Sequence, residues 1–278
     1  MAPNYRLLLM DLDGTLVGST DKVSPRTIAA IRAAREIGCI PVICTARNRY
    51  VIQRILEQIG ECEYAVLVNG AVIYSATEQR VLQKITLDAE TVQTAVAIAH
   101  RHEVAPLCFG VDSADGKLVY TDHRFPVHDL FVEDNSERMR LHHDLNALPS
   151  LPLSMGVYGP RERVEPLAAA WRETLGDRAC VFDQPHRRYR CWTSYFQSGR
   201  ASKATAARIL SEMLGIRREE TLAIGDHVND RELLLWAGLG VCMGDGHEDA
   251  RACADHITGS LDEDGAAQAI ERFILGSQ

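Results

Sequence analysis

The sequence predicts an α/β fold: a parallel sheet with crossover helices, assembled from the two ends of the chain and interrupted by an inserted α+β module. Three observations carry this. From 5 to 70, apolar runs of strand length alternate with amphipathic segments of helical period, the pattern of strand–helix–strand units. The same alternation resumes from 202 to 274. Between them, from about Lys84 to Arg187, the grammar changes and turn formers such as Asp115-Gly116, Leu148 to Pro152 and Gly159-Pro160 recur. The spacing therefore divides the chain into a core of 1–83 and 188–278 around an insert of 84–187.

The opening strand is Tyr5 to Leu12. Ser24-Pro25 supplies an N-cap and first helical residue, Ile28 to Ile37 carries apolar residues at helical spacing, and Gly38 stops the helix. Cys39 to Cys44 reads as the second strand, Arg49 to Ile59 as a helix ended by Gly60, and Tyr64 to Val68 as a third strand ended by Asn69-Gly70. In the insert, helices are expected near Ala89 to His102 and Pro160 to Leu175, with strands around Leu118 to Thr121 and Leu153 to Tyr158. The C-terminal part adds a helix Ser202 to Leu214, a strand Thr221 to Ile224 and a helix from near Asn229. Short strands Gly240 to Met243 and His256 to Thr258 and a helix Gly265 to Ile274 follow.

Composition narrows the function. The net charge is −8, shared as −5 in the insert and −3 in the core, so neither half offers a surface for nucleic acid or an anionic membrane. The longest uninterrupted run of apolar, glycine or proline residues, Ile37 to Cys44, is far below a membrane span. Only four consecutive apolar residues, Leu7 to Met10, precede Asp11, too few for a signal peptide. The eight cysteines form no C-x-x-C pair, and several sit in apolar runs. A reducing, cytoplasmic setting fits, and zinc does not.

Strand one ends in Asp11-Leu12-Asp13-Gly14-Thr15. This puts two carboxylates at the C-terminal edge of a buried strand, where open α/β sheets bind ligands. If the strand persists, Asp11 and Asp13 point the same way, about 6 to 7 Å apart. Like charges so close call for a cation or a shared proton, and Mg²⁺, bound by carboxylates, phosphate oxygens and water, suits a phosphate site here. Read alone, Asp13-Gly14 is equally a turn. A calcium loop fails, because its pattern needs glycine sixth and glutamate twelfth, and here Gly14 is fourth from Asp11 and Lys22 twelfth.

Strand two leads into Thr45-Ala46-Arg47-Asn48, where a hydroxyl and backbone N–H groups at a helix start offer a phosphate seat. Alternatively Thr45 or Asn48 simply caps the helix. Lys203 opens a helix after Ser202, where the helix dipole disfavours a cation. A phosphate beside Asp11 would favour it there; read alone, it is equally an ordinary solvated lysine. Gly225-Asp226-His227-Val228-Asn229-Asp230 puts a second acid pair at another strand-to-helix junction; these are either plain helix-start acids or a spacing that lets Asp226 reach a metal while Asp230 supports it from the next turn.

These stretches together resemble the haloacid dehalogenase superfamily of phosphohydrolases, and within it the Cof-like subfamily with a type-IIB cap. The resemblance rests on DLDGTL at Asp11 to Leu16, TAR at Thr45 to Arg47, NGA at Asn69 to Ala71, Ser202-Lys203 and GDHVND at Gly225 to Asp230, spread over nearly the whole chain. It implies a Rossmann-like core, an inserted cap that chooses the leaving group, and hydrolysis of a small soluble phosphomonoester, such as a sugar phosphate or phosphorylated coenzyme. Asp11 is then the nucleophile that becomes an aspartyl-phosphate, and Asp13 the general acid and base. Thr45, Ala46, Lys203 and Asn229 hold phosphoryl oxygens. Mg²⁺ is held by Asp11, the Asp13 carbonyl and Asp226, with Asp230 in support. Arg47, Asn69, Gly70 and His227 are candidate substrate contacts.

Ala204, His227 and Met243-Gly244-Asp245-Gly246 depart from the usual subfamily pattern without removing a catalytic group. In the insert, His123, Arg124, His128, Arg161 and Arg163 are candidate anion or sugar contacts, and Trp192 and Tyr195 candidate walls of the site. A phosphosugar mutase of the same superfamily and a non-catalytic phosphate-ligand sensor are the alternatives. A signalling receiver is disfavoured by the first-strand position of Asp11 and by the insert. A dinucleotide enzyme is disfavoured because Gly238-Leu239-Gly240 lacks the third glycine. Monomer and homodimer are both open.

Overall fold

The first strand, β1 (Leu7–Met10), is apolar at every position and buried on both faces, as a strand covered by helices must be. The computed structural model describes residues 4–60, 62–111, 117–122, 124–186 and 188–276. After β1 come α1 (Pro25–Glu36), whose N-cap Ser24 accepts a hydrogen bond from the Thr27 N–H, β2 (Ile40–Cys44), and α2 (Arg49–Ile59), which ends on left-handed Gly60. Next are β3 (Tyr64–Leu67), a 3₁₀ turn Val68–Gly70, β4 (Val72–Ser75) and β5 (Arg80–Lys84).

The chain then forms α3 (Ala89–Arg101), β6 (Leu107–Phe109), β7 (Val119–Thr121), α4 (Asp129–Asn135), β8 (Met139–Leu141) and β9 (Ser154–Gly159). It continues through α5 (Arg161–Leu175), β10 (Ala179–His186) and β11 (Cys191–Ser198). The last stretch contains α6 (Lys203–Leu214), β12 (Thr221–Gly225), α7 (Arg231–Trp236), β13 (Leu239–Cys242), α8 (Glu248–Arg251), β14 (His256–Ile257) and α9 (Gly265–Phe273). The helix expected from Asn229 begins instead as a 3₁₀ turn, Val228–Asp230, before α7.

Two compact units result, Met1–Gln83 with Ser202–Gln278, and Lys84–Ala201. The first has one sheet in the order β14-β13-β12-β1-β2-β3-β4-β5. From β14 to β3 the pairings are parallel, and β4 returns antiparallel to β3. Strands β1 and β12 are in register from Leu7 opposite Thr221 to Met10 opposite Ile224, so the segments following both strands emerge at one edge. The second unit has a sheet in the order β10-β11-β9-β6-β7-β8. Its apolar core joins α3 and α5 to the sheet around Trp171 and Phe196, whose rings meet edge to face at 4.8 Å.

One expected boundary moves. The division after Arg187 would cut the β10–β11 hairpin, whose strands pair along their whole length while β11 also pairs with β9. The second junction therefore lies at 201/202. Asp115-Gly116 and His123 lie outside the described residues.

Candidate active site

Asp11 follows directly on β1, and the strand does not persist as expected. Gly14, at φ +88°, turns the chain, and Gly14 N–H donates to the Val17 carbonyl at 2.9 Å. The two carboxylates consequently part company: Asp11 is buried, whereas the Asp13 side chain keeps half its exposure. Glycine is required at 14 for a second reason, since a Cβ there would sit 2.3 Å from an Asp226 carboxylate oxygen.

Lys203, the first residue of α6, is fully buried and forms ion pairs with Asp11 and, at 2.6 Å, with Asp230. Ser202 caps the helix by accepting from the Thr205 N–H at 3.1 Å, so the lysine is held by these two acids rather than by its own helix end. The other oxygen of Asp230 accepts from the N–H groups of Asp226 (3.1 Å) and His227 (3.0 Å). Both Asp230 oxygens are thus engaged in tying the β12–α7 turn to α6. Asp226 accepts from the Thr15 hydroxyl at 2.9 Å.

Three carboxylates therefore surround one ammonium. Burial, then Asp230, pushes the Asp11 carboxyl well above the usual carboxylate range, with Lys203 opposing. Burial and Asp230 raise Asp226 as well, opposed by the Thr15 hydrogen bond. Burial works against the Lys203 charge, but Asp11 and Asp230 together raise its pKa above that of a free lysine. The site carries more negative charge than its lysine balances. One oxygen from each of Asp11, Asp226 and Asp230 lies within 4.8 Å of the others, and an all-oxygen, anionic donor set suits a hard divalent cation. Because Asp230 already spends both oxygens on Lys203 and the backbone, Asp11 and Asp226 are the residues fitted to hold the ion directly, with Asp230 behind them.

Thr45 lies at the end of β2, fully buried, and its hydroxyl oxygen accepts from the Arg47 N–H at 3.1 Å. The cap of α2 is Asn48, which accepts from the Val51 N–H at 3.1 Å, so Thr45 keeps its hydroxyl hydrogen to donate. Ala46 occupies the bend between β2 and that cap.

Arg47, a candidate substrate contact, is paired with two acids of the chain. Its guanidinium reaches the Asp13 carboxylate with two N–H groups, one at 3.0 Å, and Asp21 at 2.7 Å. Asn69 and Gly70 are also otherwise employed. Asn69 is buried and accepts from the Asn229 side chain at 3.0 Å. Gly70 lies against α6, where a Cβ would meet the Ser202 carbonyl oxygen at 2.0 Å. Residues 68, 69 and 70 all take left-handed φ, +51°, +48° and +94°, an outlying conformation for a β-branched valine. Val68 and Asn69 donate their N–H groups to the Arg47 and Thr45 carbonyls at 3.1 and 3.0 Å, tying this turn to the phosphate-seat segment. Gly70→Ala is expected to lower stability by about 3 kcal/mol through the contact and the backbone penalty, measured by urea unfolding.

His227 is exposed, with its ring 5.5 Å from that of His247. Among the described candidates of the inserted unit, His128 has a buried Nδ1 without a hydrogen-bond partner, and others have partners within the unit. Arg124 approaches His100 Nδ1 at 3.3 Å and Arg163 pairs with Glu103 at 3.4 Å. Trp192 donates to Asp183 at 3.3 Å, and Tyr195 stacks on Phe182 at 5.3 Å. Residues that sequence reasoning passed over include Thr15, Asp21 and His247, whose N–H donates to the Asp226 carbonyl at 2.7 Å. Only Thr15 carried a signal, its place inside the first acidic stretch.

The profile of the haloacid dehalogenase-like hydrolases matches residues 8–270. The chain belongs to this family. Among related haloacid dehalogenase-like proteins, the putative phosphatase YxeH of Bacillus subtilis is 26% identical, over 98% of this chain and 99% of its own. The HMP-PP phosphatase of Serratia proteamaculans is 29% identical, over 86% and 84% of the two chains. A haloacid dehalogenase-like hydrolase from Bacteroides thetaiotaomicron has a similar structure, with TM-score 0.79 and 26% identity over 96% of this chain and 99% of that one. Among the described residues, no helix is long and apolar enough to cross a membrane.

Proposed function

We propose that this hydrolase is a Mg²⁺-dependent phosphatase of a small phosphomonoester, a sugar phosphate or phosphorylated coenzyme, working through an aspartyl-phosphate at Asp11. The observation that carries the reading is the buried pairing of Asp11 with Lys203, beside Asp226 and Asp230, at the end of the central strand. A carboxylate kept beside a lysine can meet a phosphate dianion because the ammonium offsets the repulsion between them. An Asp11 oxygen bonds to phosphorus as the bond to the leaving alkoxide breaks, and Asp13 gives that oxygen its proton. Water then attacks phosphorus, Asp13 takes the water's proton, and the Asp11 carboxylate is released with inorganic phosphate. For these transfers the half-exposed Asp13 side chain leaves its two-pronged pairing with Arg47 and takes its first proton from solvent, and the water's proton restores that state after each turnover. Thr45 and Lys203 steady the phosphoryl oxygens, and the inserted unit selects the leaving group. Mg²⁺ held by Asp11 and Asp226 would supply the charge neutralisation that one lysine leaves incomplete.

A panel of phosphate esters assayed with and without Mg²⁺ tests this. Inorganic phosphate released only with the metal is the expected result. An isomeric phosphate in its place identifies a mutase, and binding without turnover a sensor. Mg²⁺ should also raise the melting temperature more at pH 8 than at pH 5. The raised pKa values of Asp11 and Asp226 mean that in the folded state they keep protons above the usual carboxylate range, so the metal-free fold loses stability as pH rises through that window. The cation offsets that loss where both acids are ionised. Equal shifts at the two pH values, read by thermal unfolding, would count against Asp11 and Asp226 as its ligands.

A further inference from the structure

We propose that the unit Lys84–Ala201 carries a binding pocket for a small planar organic anion, independent of the hydrolysis proposed above. A cavity of about 530 Å³ lies beside the start of α5 and the β10–β11 turn, a size suited to a small ligand. Among the described residues its lining contains no carboxylate. Arg161 and Arg190 bring two guanidinium groups, His128 and His186 two imidazoles, and Trp192 and Pro160 flat or apolar wall. In a chain of net charge −8 the charged side chains of this lining are cationic, with the carboxylates of Glu165 and Asp183 set behind Arg161 and Trp192, and charge complementarity selects an anion.

The cationic side is prearranged. The Arg161 guanidinium lies 4.6 Å from the centre of the Trp192 ring, a stack that orients it while leaving in-plane N–H groups for a planar anion. Its other partner is Glu165, 2.8 Å away in an exposed bridge one helical turn on, of the kind that yields readily to a competing anion. The N-cap of α5 is Pro160, which offers no side-chain hydrogen bond, so the positive end of a fifteen-residue helix adds to the same field. Arg190 takes a left-handed φ of +50° at the hairpin turn, where glycine or asparagine fits with less strain.

The remaining wall favours a ring. His186 lies nearly parallel to Tyr189, with centroids 4.4 Å apart and planes 7° apart. Its Nδ1 accepts from the Tyr189 N–H at 3.3 Å, which leaves the proton of the neutral ring on Nε2. Burial, with Arg188 and His128 nearby, lowers the His186 pKa. The residue thus offers an N–H donor rather than a charge, set among the rings of Tyr158 and Tyr189. An aromatic or heteroaromatic ring bearing a carboxylate matches this combination of guanidinium donors and the Trp192 ring surface.

Isothermal titration of the full chain with 2-naphthoate and with neutral 2-naphthalenemethanol tests the pocket. Saturable one-to-one binding of 2-naphthoate is expected, about tenfold tighter than the alcohol. Arg190→Gln, at an exposed turn position, should weaken 2-naphthoate by about fivefold to tenfold and leave the alcohol within about twofold. Trp192→Leu should weaken both. Equal affinity for the two probes, no saturable binding of 2-naphthoate, or binding unchanged by Arg190→Gln would overturn the proposal.

Discussion

Replacing Asp11 with asparagine is expected to reduce phosphate release by at least about 10⁴-fold, the scale seen when a covalent nucleophile is removed. An amide is nearly isosteric with the carboxylate but does not attack phosphorus. The fold should survive. The Asp11 carboxyl is held above its ordinary pKa chiefly by burial and then by Asp230. A group whose folded-state pKa is raised favours the folded state when protonated, and near pH 7.5 its ionised form opposes folding. A neutral side chain at that position removes this cost, while Lys203 keeps Asp230 as partner at 2.6 Å. The expected pattern is lost turnover with an unchanged or higher melting temperature. Lost turnover with an unfolded protein would instead make Asp11 a structural residue.

The opposite pattern is expected for Lys203→Met, where stability fails along with activity. Methionine fills similar space but leaves Asp11 and Asp230 facing each other without the ammonium that both contact. Removing one member of a buried ionic cluster costs about 3 to 5 kcal/mol, or roughly 10 °C for a domain of this size. The deficit should be larger at pH 8 than at pH 5.5. Without the lysine, which opposes the upward shift of Asp11, the acid keeps its proton to higher pH in the folded state, and stability falls as pH rises through that range. Thermal unfolding at the two pH values measures this directly. A deficit independent of pH would mean that lost packing, not uncompensated charge, is the cause.

What could be read from the sequence was whatever has a local cause. The helix α2 matches its expected span, Arg49–Ile59, because an asparagine cap and a terminal glycine mark both ends. The buried strands β1, β2 and β3 were likewise visible as apolar runs. Strands β10 and β11 were not, since their burial is patchy and includes exposed polar positions, and the division at 187/188 failed with them. At the site, the stretches containing Asp11, Thr45, Lys203 and Asp230 were visible, and the sheet order brings Asp11, Lys203 and Asp230 into contact across 192 and 27 positions of sequence. Side-chain pairing was not visible. Whether Asp13 lies beside Asp11 or beside Arg47 depends on where β1 ends and on a turn at Gly14, and no periodicity reports a guanidinium arriving from the end of another strand. The left-handed run through Val68 was hidden for the same reason: its hydrogen bonds go to Arg47 and Thr45, not to its neighbours.

The central claim is that the carboxylate held by Lys203 takes the phosphoryl group. Rapid quench of a single turnover, followed by borohydride reduction of any acyl phosphate and mass spectrometry of the peptides, tests it most directly. Residue 11 should be recovered as homoserine in amounts that rise and fall with the reaction. Reduction at another carboxylate, or none while phosphate is released, would contradict it.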